Sequence, residues 1–232
     1  MILCMKKHLK TTILGIYAGL AIALGGLLNI LSNAFISGDL AWLGKLLGSL
    51  LFPVGLTLVC FLGLNLFTGK IGYVLDNKKD YLLFLVFIYL GNIIGSLIAG
   101  GVCLLVFHNV DVVYAKALGV AGNKMASLSG FLPGLKVFAM AMGCGALVYI
   151  AVFFYKIFKN VALKAIGIFI PIALFVYLGF DHCVANMFYF TFAVSFAKPL
   201  SYLNILIATI GNSIGAIILN EIIKAIKKVS TH

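Results

Sequence analysis

Long apolar stretches dominate the chain and alternate with short polar segments that carry most of the lysines. A helix needs roughly 20 apolar residues to cross a bilayer, and six stretches are long enough. Two of them carry polar residues and glycine near their middle, so we predict that these two are interrupted, near Leu64–Gly69 and near Gly179–Cys183. The six predicted spans cover about residues 11–36, 46–75, 81–107, 131–155, 162–196 and 202–224.

Composition supports a membrane protein and excludes a soluble domain. The 232 residues are 63% hydrophobic and only 10% charged, which leaves too few polar groups to cover a water-exposed surface. We therefore expect an all-α integral membrane protein, with residues 1–232 forming a single transmembrane domain. The five cysteines are scattered without a Cys-x-x-Cys pair, so we expect no disulfide, no metal site and no cofactor.

Charge indicates the orientation in the membrane. The net charge of +11 comes from 17 basic residues, all of them lysine and mostly at span ends. Such a distribution favours contact with lipid head groups and leaves no basic face for nucleic acid. Both termini and the connections after spans two and four hold 11 lysines, or 12 with Lys70, against 5 on the other side. We therefore expect both termini to be cytoplasmic, in the inner membrane.

A repeated motif divides the chain into two halves. Span three contains Gly-Asn-Ile-Ile-Gly around Asn92, and span six contains Gly-Asn-Ser-Ile-Gly around Asn212, 120 residues later (212 − 92). The prolines and the interruptions of spans two and five have nearly the same separation. Because three spans is an odd number, the two halves, about 11–108 and 131–228, must enter the membrane in opposite directions.

The two interruptions carry the candidate chemistry. Thr68 supplies a hydroxyl in the first, while Asp181 and His182, with Asn186 four residues on, form a polar cluster in the second. Ionisable groups inside a membrane usually face a pathway, and histidine exchanges protons near neutral pH. Two alternatives stay open: His182 only holds a helix break, with Asp181 orienting or capping, or the first interruption is a loop between two short spans.

Four motifs together resemble the formate/nitrite transporter family, which also contains hydrosulfide channels. They are Leu66–Gly69, Tyr89–Gly95, His182–Met187 and Ile210–Asn212. The resemblance implies a homo-pentamer of aquaporin-like protomers, each with its own pore for a small anion such as formate, nitrite or hydrosulfide.

The resemblance also implies roles for particular residues. A lysine that precedes span four in the family corresponds to Lys124, with Lys136 as the alternative, and the asparagine usual in span four aligns with Gly145. Asp181 stands where the family commonly has glutamate. The pore-facing set is Thr68, His182, Asn186 and Lys124; the two constrictions are Phe52 and Leu56, then Leu66, Phe67 and Phe175; the supporting residues are Asp181, Gly69, Asn92 and Asn212.

The expected function is a channel for weak-acid anions. A bare anion in an apolar slit loses its hydration at high cost, so we expect the solute to become neutral, or nearly so, between the slits. His182 would supply or share the proton, with Thr68 and Asn186 as hydrogen-bond partners. Two alternatives remain: a proton-coupled symporter of the same anions, and a membrane-embedded enzyme that uses Asp181 and His182. A water or glycerol channel is disfavoured because the sequence has no Asn-Pro-Ala pair.

Overall fold

The computed structural model describes residues 2–129, 132 and 134–230, and all regular structure in these residues is helical. Short 3₁₀ turns lie at Gly38–Leu40, Ile71–Asp76 and Ser195–Ala197. The predicted start of the fourth span, near residue 131, lies outside the described residues. The α-helices are α1 (Ile2–Phe35), α2 (Ala41–Leu51), α3 (Pro53–Phe61), α4 (Phe67–Lys70), α5 (Asp80–Phe107), α6 (Asp111–Ala126), α7 (Leu135–Ile157), α8 (Val161–Tyr177), α9 (Cys183–Phe192) and α10 (Pro199–Ser230).

Five helical segments of the described chain are long and apolar enough to cross a membrane. The fifth predicted span, 162–196, corresponds instead to the shorter apolar helices α8 and α9. Large apolar side chains such as Leu105 and Ile170 are exposed on the outside of the bundle, as a lipid-facing surface requires. The five segments are Lys6–Phe35, Gly38–Phe61, Asp80–Phe107, Leu135–Ile157 and Pro199–Ser230.

Two parallel helix pairs form the frame of the bundle. Helix α1 packs along α5 where Gly15 meets the backbone of Gly91, and α7 packs along α10 where Gly145 meets the backbone of Asn212. Glycine lets the two backbones approach closely in both pairs. The α5 helix runs antiparallel to α10, because Tyr89 of α5 bonds to Thr209, whereas Asp76, just before α5, bonds to Asn220 further along α10. The two pairs therefore point in opposite directions.

The polypeptide leaves helical conformation in the same way after α3 and after α8. Gly63 (φ +65°) and Gly179 (φ +74°) adopt the left-handed conformation that favours glycine, and the surrounding backbone hydrogen bonds match. The chain becomes helical again at α4 and α9. Gly69 was expected near the turn of the first interruption, but it lies inside α4 and faces Val152, so Gly63 makes that turn.

Helix α6 was not predicted, since the connection between spans three and four was interpreted as a loop. It packs against α1 and α9. Its buried side chains are Val113, Ala117, Ala121 and Met125, four residues apart, which places them along one face of the helix. The stripe is visible in the sequence, but two of its four residues are alanine and it is too short to suggest a span.

Candidate functional site

Asn92 connects three segments at the start of α4. Its Oδ1 accepts a hydrogen bond from the backbone N–H of Phe67 (2.8 Å), the first residue of α4. Its Nδ2 donates to the carbonyls of Gly15 and Asn65, both at 2.9 Å. The buried side chain therefore satisfies polar backbone groups that the interruption would otherwise leave unpaired.

Asn212 forms the matching set of bonds at the start of α9. Its Oδ1 accepts from the backbone N–H of Cys183 (2.9 Å), and its Nδ2 donates to the carbonyls of Ala141 and Asp181, both at 2.8 Å. Each asparagine thus forms hydrogen bonds with three places: the first residue of a short helix, the residue two positions before it, and the first helix of a parallel pair. Asn92 and Asn212 were expected to be supporting residues, and these are the contacts that their side chains make.

Thr68 and His182 meet between the two short helices. Thr68 Oγ1 and His182 Nε2 are 2.9 Å apart, and both residues are buried. The backbone N–H of Ala185 donates to His182 Nδ1 (3.2 Å), so this nitrogen is an acceptor and the proton of the neutral ring lies on Nε2. His182 therefore donates to Thr68 Oγ1, which leaves the Thr68 hydroxyl hydrogen available for another acceptor.

Two cavities approach this contact from opposite sides. The larger, about 640 Å³, reaches His182 and Asn186. The smaller, about 160 Å³, reaches Leu66 and Gly69, which flank Thr68 in the sequence. The Thr68–His182 contact therefore lies beside both cavities, with His182 itself in the wall of the larger one.

Aromatic rings narrow the larger cavity near His182. Phe52 and Phe175 meet edge to face with ring centroids 5.5 Å apart, and Phe175 stacks on the His182 ring at 5.9 Å. Phe175 therefore belongs with Phe52, not with Leu66 and Phe67 as the resemblance suggested. Leu66 lines the smaller cavity.

Two expected constriction residues do not line either cavity. Leu56 is buried in the core, and the Phe67 ring packs edge to face on Tyr89 with centroids 4.8 Å apart. The direction in which a short helix presents its side chains depends on its rotation. In α4 the hydrogen bond from the Phe67 N–H to Asn92 sets how the helix is rotated about its own axis. The sequence motif alone does not reveal this rotation.

A buried polar network holds the wall of the larger cavity. Lys124 Nζ lies 3.0 Å from Asp181 Oδ1, and Asn186 Nδ2 donates both to this carboxylate (2.8 Å) and to Asn204 Oδ1 (2.7 Å). Asn204 Nδ2 closes the ring at the Lys124 carbonyl (3.2 Å). The sequence analysis did not identify Asn204 as a site residue. An asparagine inside the apolar sixth span is unusual, and that position could have drawn attention to it.

The two candidate lysines lie in different surroundings. Lys124 lines the larger cavity but its charge is offset by Asp181, whereas Lys136 is exposed and lines neither cavity. Gly145 lines neither cavity, and a side chain there would run into the backbone of Asn212.

We expect Lys124→Met to lower the thermal stability of the detergent-solubilised protein, because it leaves the buried carboxylate of Asp181 without its ion-pair partner. Breaking a buried pair from one side costs about 3–5 kcal/mol. The double variant Lys124→Met/Asp181→Asn should recover much of the loss, and Lys136→Met should melt like the wild type. Equal melting temperatures for Lys124→Met and Lys136→Met would contradict the pairing.

The fold and the site together define a class of protein. A helical bundle apolar enough to cross a membrane, with two separate cavities beside a buried polar contact between short helices, is typical of a channel or transporter for a small solute. The chain belongs to the formate/nitrite transporter family, whose family model matches residues 4–226. It is therefore a multi-pass membrane transport protein, and the alternative of an enzyme that uses Asp181 and His182 is excluded.

Relatives and a solved structure agree with this family. The chain is 35% identical over 218 residues to the uncharacterized transporter YrhG of Bacillus subtilis, covering 88% of this chain and 79% of that protein. It is 33% identical over 221 residues to the formate channel BtFdhC of Bacillus thuringiensis, covering 88% and 81%. Its fold is similar to a pentameric formate channel with formate bound, with a TM-score of 0.80 at 24% identity over 97% of this chain and 98% of that chain.

Proposed function

We propose that this protein is a channel for small monovalent weak-acid anions, with formate, nitrite and hydrosulfide as the candidate solutes. The observation that carries the proposal is the buried contact between Thr68 and His182, reached from opposite sides by two cavities. The similarity to formate channels, including BtFdhC at 33% identity, supports formate as the first solute to test.

The proposed architecture has six spans in two inverted repeats, about 11–108 and 131–228, with an aquaporin-like arrangement. Its support is the opposite direction of the two helix pairs, the matching bonds of Asn92 and Asn212, and the matching glycine turns. By similarity to the pentameric channel we propose a homo-pentamer with one path per protomer. The lysine distribution supports cytoplasmic termini, and we infer from it that the smaller cavity faces the cytoplasmic side of an inner membrane.

Charge draws the anion towards the path. Lys45 and Lys116 line the larger cavity in addition to Lys124, whose charge Asp181 offsets. Positive side chains at the mouth of a narrow cleft raise the local concentration of anions and the rate at which they enter. They do not lower the barrier at the apolar slit of Phe52 and Phe175, where a bare charge would lose its hydration.

The polar groups at the crossing match a weak acid that is neutral, or nearly so. The Thr68 hydroxyl can donate to the solute while it accepts from His182 Nε2, so the neutral ring orients and polarises this hydroxyl and keeps its own proton. The proton that neutralises the anion then comes from water in the adjoining cavity. Asn186 Oδ1 is buried, faces no partner among the described residues and belongs to the wall of the larger cavity. It therefore offers an acceptor for the O–H or S–H of the protonated solute.

Stopped-flow flux into proteoliposomes tests this proposal. Formate, nitrite and hydrosulfide should enter much faster than into protein-free liposomes, while chloride, which does not become a neutral acid near neutral pH, should stay at the background rate. Chloride entering at a rate comparable to formate would contradict the proposed selectivity. Background rates for all three weak-acid anions would contradict the proposed function.

A further inference from the structure

We propose that Lys70 and Lys156 form a binding site for a small monovalent anion in the smaller cavity, where the solute stops on one side of the crossing. The inference rests on the proposed function, because it treats this cavity as part of the transport path. It adds a site that the sequence motifs do not include and that involves no residue of the Thr68–His182 contact.

The cavity brings together residues from separate elements. Lys70 ends α4, Lys156 lies in the last turn of α7 and Cys60 comes from α3, with Leu66 and Tyr155 completing part of the wall. The volume of about 160 Å³ corresponds to roughly five water molecules at about 30 Å³ each. Such a space holds an anion of a few atoms with part of its hydration, but no large metabolite.

The two lysine side chains lack the compensation that Lys124 has. Both line the same small cavity, and neither forms an ion pair with a carboxylate among the described residues. Lys156 Nζ is held 3.6 Å above the ring centroid of Tyr73, and Lys70 is half-buried. An anion bound between two positive charges is attracted by both of them and offsets the repulsion between them. Partial burial strengthens these attractions, because less water screens the charges.

The position of Lys70 connects the site to the crossing. Phe67 and Cys183 occupy equivalent places, because each donates its backbone N–H to the asparagine that holds its helix. Lys70 is the fourth residue of α4, as Asn186 is the fourth residue of α9. Asn186 lines the larger cavity and Lys70 lines the smaller one, so each short helix presents a polar side chain to its own cavity.

The first experiment measures the half-saturating formate concentration in proteoliposomes sorted by the side on which a C-terminal tag is exposed. Lys70→Met/Lys156→Met should raise it at least five-fold when formate is added on the side of the termini, and less than two-fold from the other side. The rise should shrink at high ionic strength, where the wild-type charges are screened. Lys70→Arg/Lys156→Arg should behave like the wild type.

The matched control is Lys78→Met/Lys79→Met, which removes the same charge from exposed positions on the same side. An equal rise in the control would show that general surface charge is responsible and would overturn the site. Unchanged half-saturation in Lys70→Met/Lys156→Met, with normal wild-type flux, would overturn it as well while leaving the proposed function intact.

The second experiment does not depend on transport. Crystals of the wild-type protein soaked in bromide should show an anomalous peak between Lys70 and Lys156, and crystals of Lys70→Met/Lys156→Met should lack it. A wild-type crystal without this peak would overturn the site. Loss of formate flux in a protein that still shows the peak would instead count against the proposed function.

Discussion

Replacing Gly145 by alanine is expected to prevent stable assembly of the folded protein. The added methyl group would overlap the backbone oxygen and carbonyl carbon of Asn212, so α7 and α10 would have to separate. Overpacking alone costs about 1–3 kcal/mol. Moving Asn212 also weakens its bonds to Cys183 and Asp181, so the total loss should exceed about 4 kcal/mol, since each unpaired buried group adds about 1–3 kcal/mol.

Fluorescence-detected size-exclusion chromatography after heating measures this effect. Gly145→Ala should give little monodisperse protein at any temperature at which the wild type survives. The matched control is Gly119→Ala in α6, where a methyl group meets no atom within 4 Å. The control should be at least as stable as the wild type, because alanine is the better helix former. Similar melting of the two variants would contradict the close contact of α7 and α10.

Replacing Asn212 by leucine is expected to have the second-largest effect. The change leaves the Cys183 N–H and the Asp181 carbonyl without their partner inside the protein, and the Ala141 carbonyl keeps only its bond within α7. With about 1–3 kcal/mol for each of the two unpaired groups, and the lost bond to Ala141 in addition, the protein should lose about 3 kcal/mol of stability or more. Asn92→Leu should have a similar effect through the groups it leaves unpaired at α4.

Thermal melting in detergent, together with formate flux in the fraction that remains folded, measures this second effect. Ser213→Ala serves as the control in the same helix, because the Ser213 hydroxyl bonds to the Thr209 carbonyl one turn earlier and holds no other segment among the described residues. Melting of Asn212→Leu at the temperature of Ser213→Ala would contradict the role of Asn212 in holding the start of α9.

The sequence predicted those parts of the fold that recur along the chain. The repeated Gly-Asn motif indicated equivalent roles for Asn92 and Asn212, and the polar residues inside two apolar spans drew attention to Thr68 and His182. Both inferences depended on the strong cost of polar groups inside apolar helices, which makes such residues conspicuous. The contact between Thr68 and His182 follows from the two interruptions meeting inside one bundle.

Other features depend on rotation and close packing, which periodicity does not specify. Gly63 was overlooked as a turn residue because its neighbours are apolar, while Gly69 stood in a visible motif. The ion pair of Lys124 and Asp181 joins residues far apart in the chain, one of them on a helix that was not predicted. The direction of Phe67 depends on how Asn92 orients a helix of one turn.

The central claim is that the solute passes the contact between His182 and Thr68. His182 also caps the start of α9, and one substitution separates these two roles. Asparagine is among the best residues at the start of a helix, so His182→Asn retains an acceptor for the Ala185 N–H. Its shorter side chain does not reach Thr68 Oγ1. The variant therefore keeps the cap of α9 and loses the contact at the crossing.

The decisive measurement is formate influx into proteoliposomes that contain equal amounts of wild-type protein or His182→Asn. With the melting temperature close to that of the wild type, the account predicts at least a ten-fold lower influx for the variant. An influx equal to the wild type would mean that His182 only caps α9, and would contradict the proposed path past Thr68 and His182.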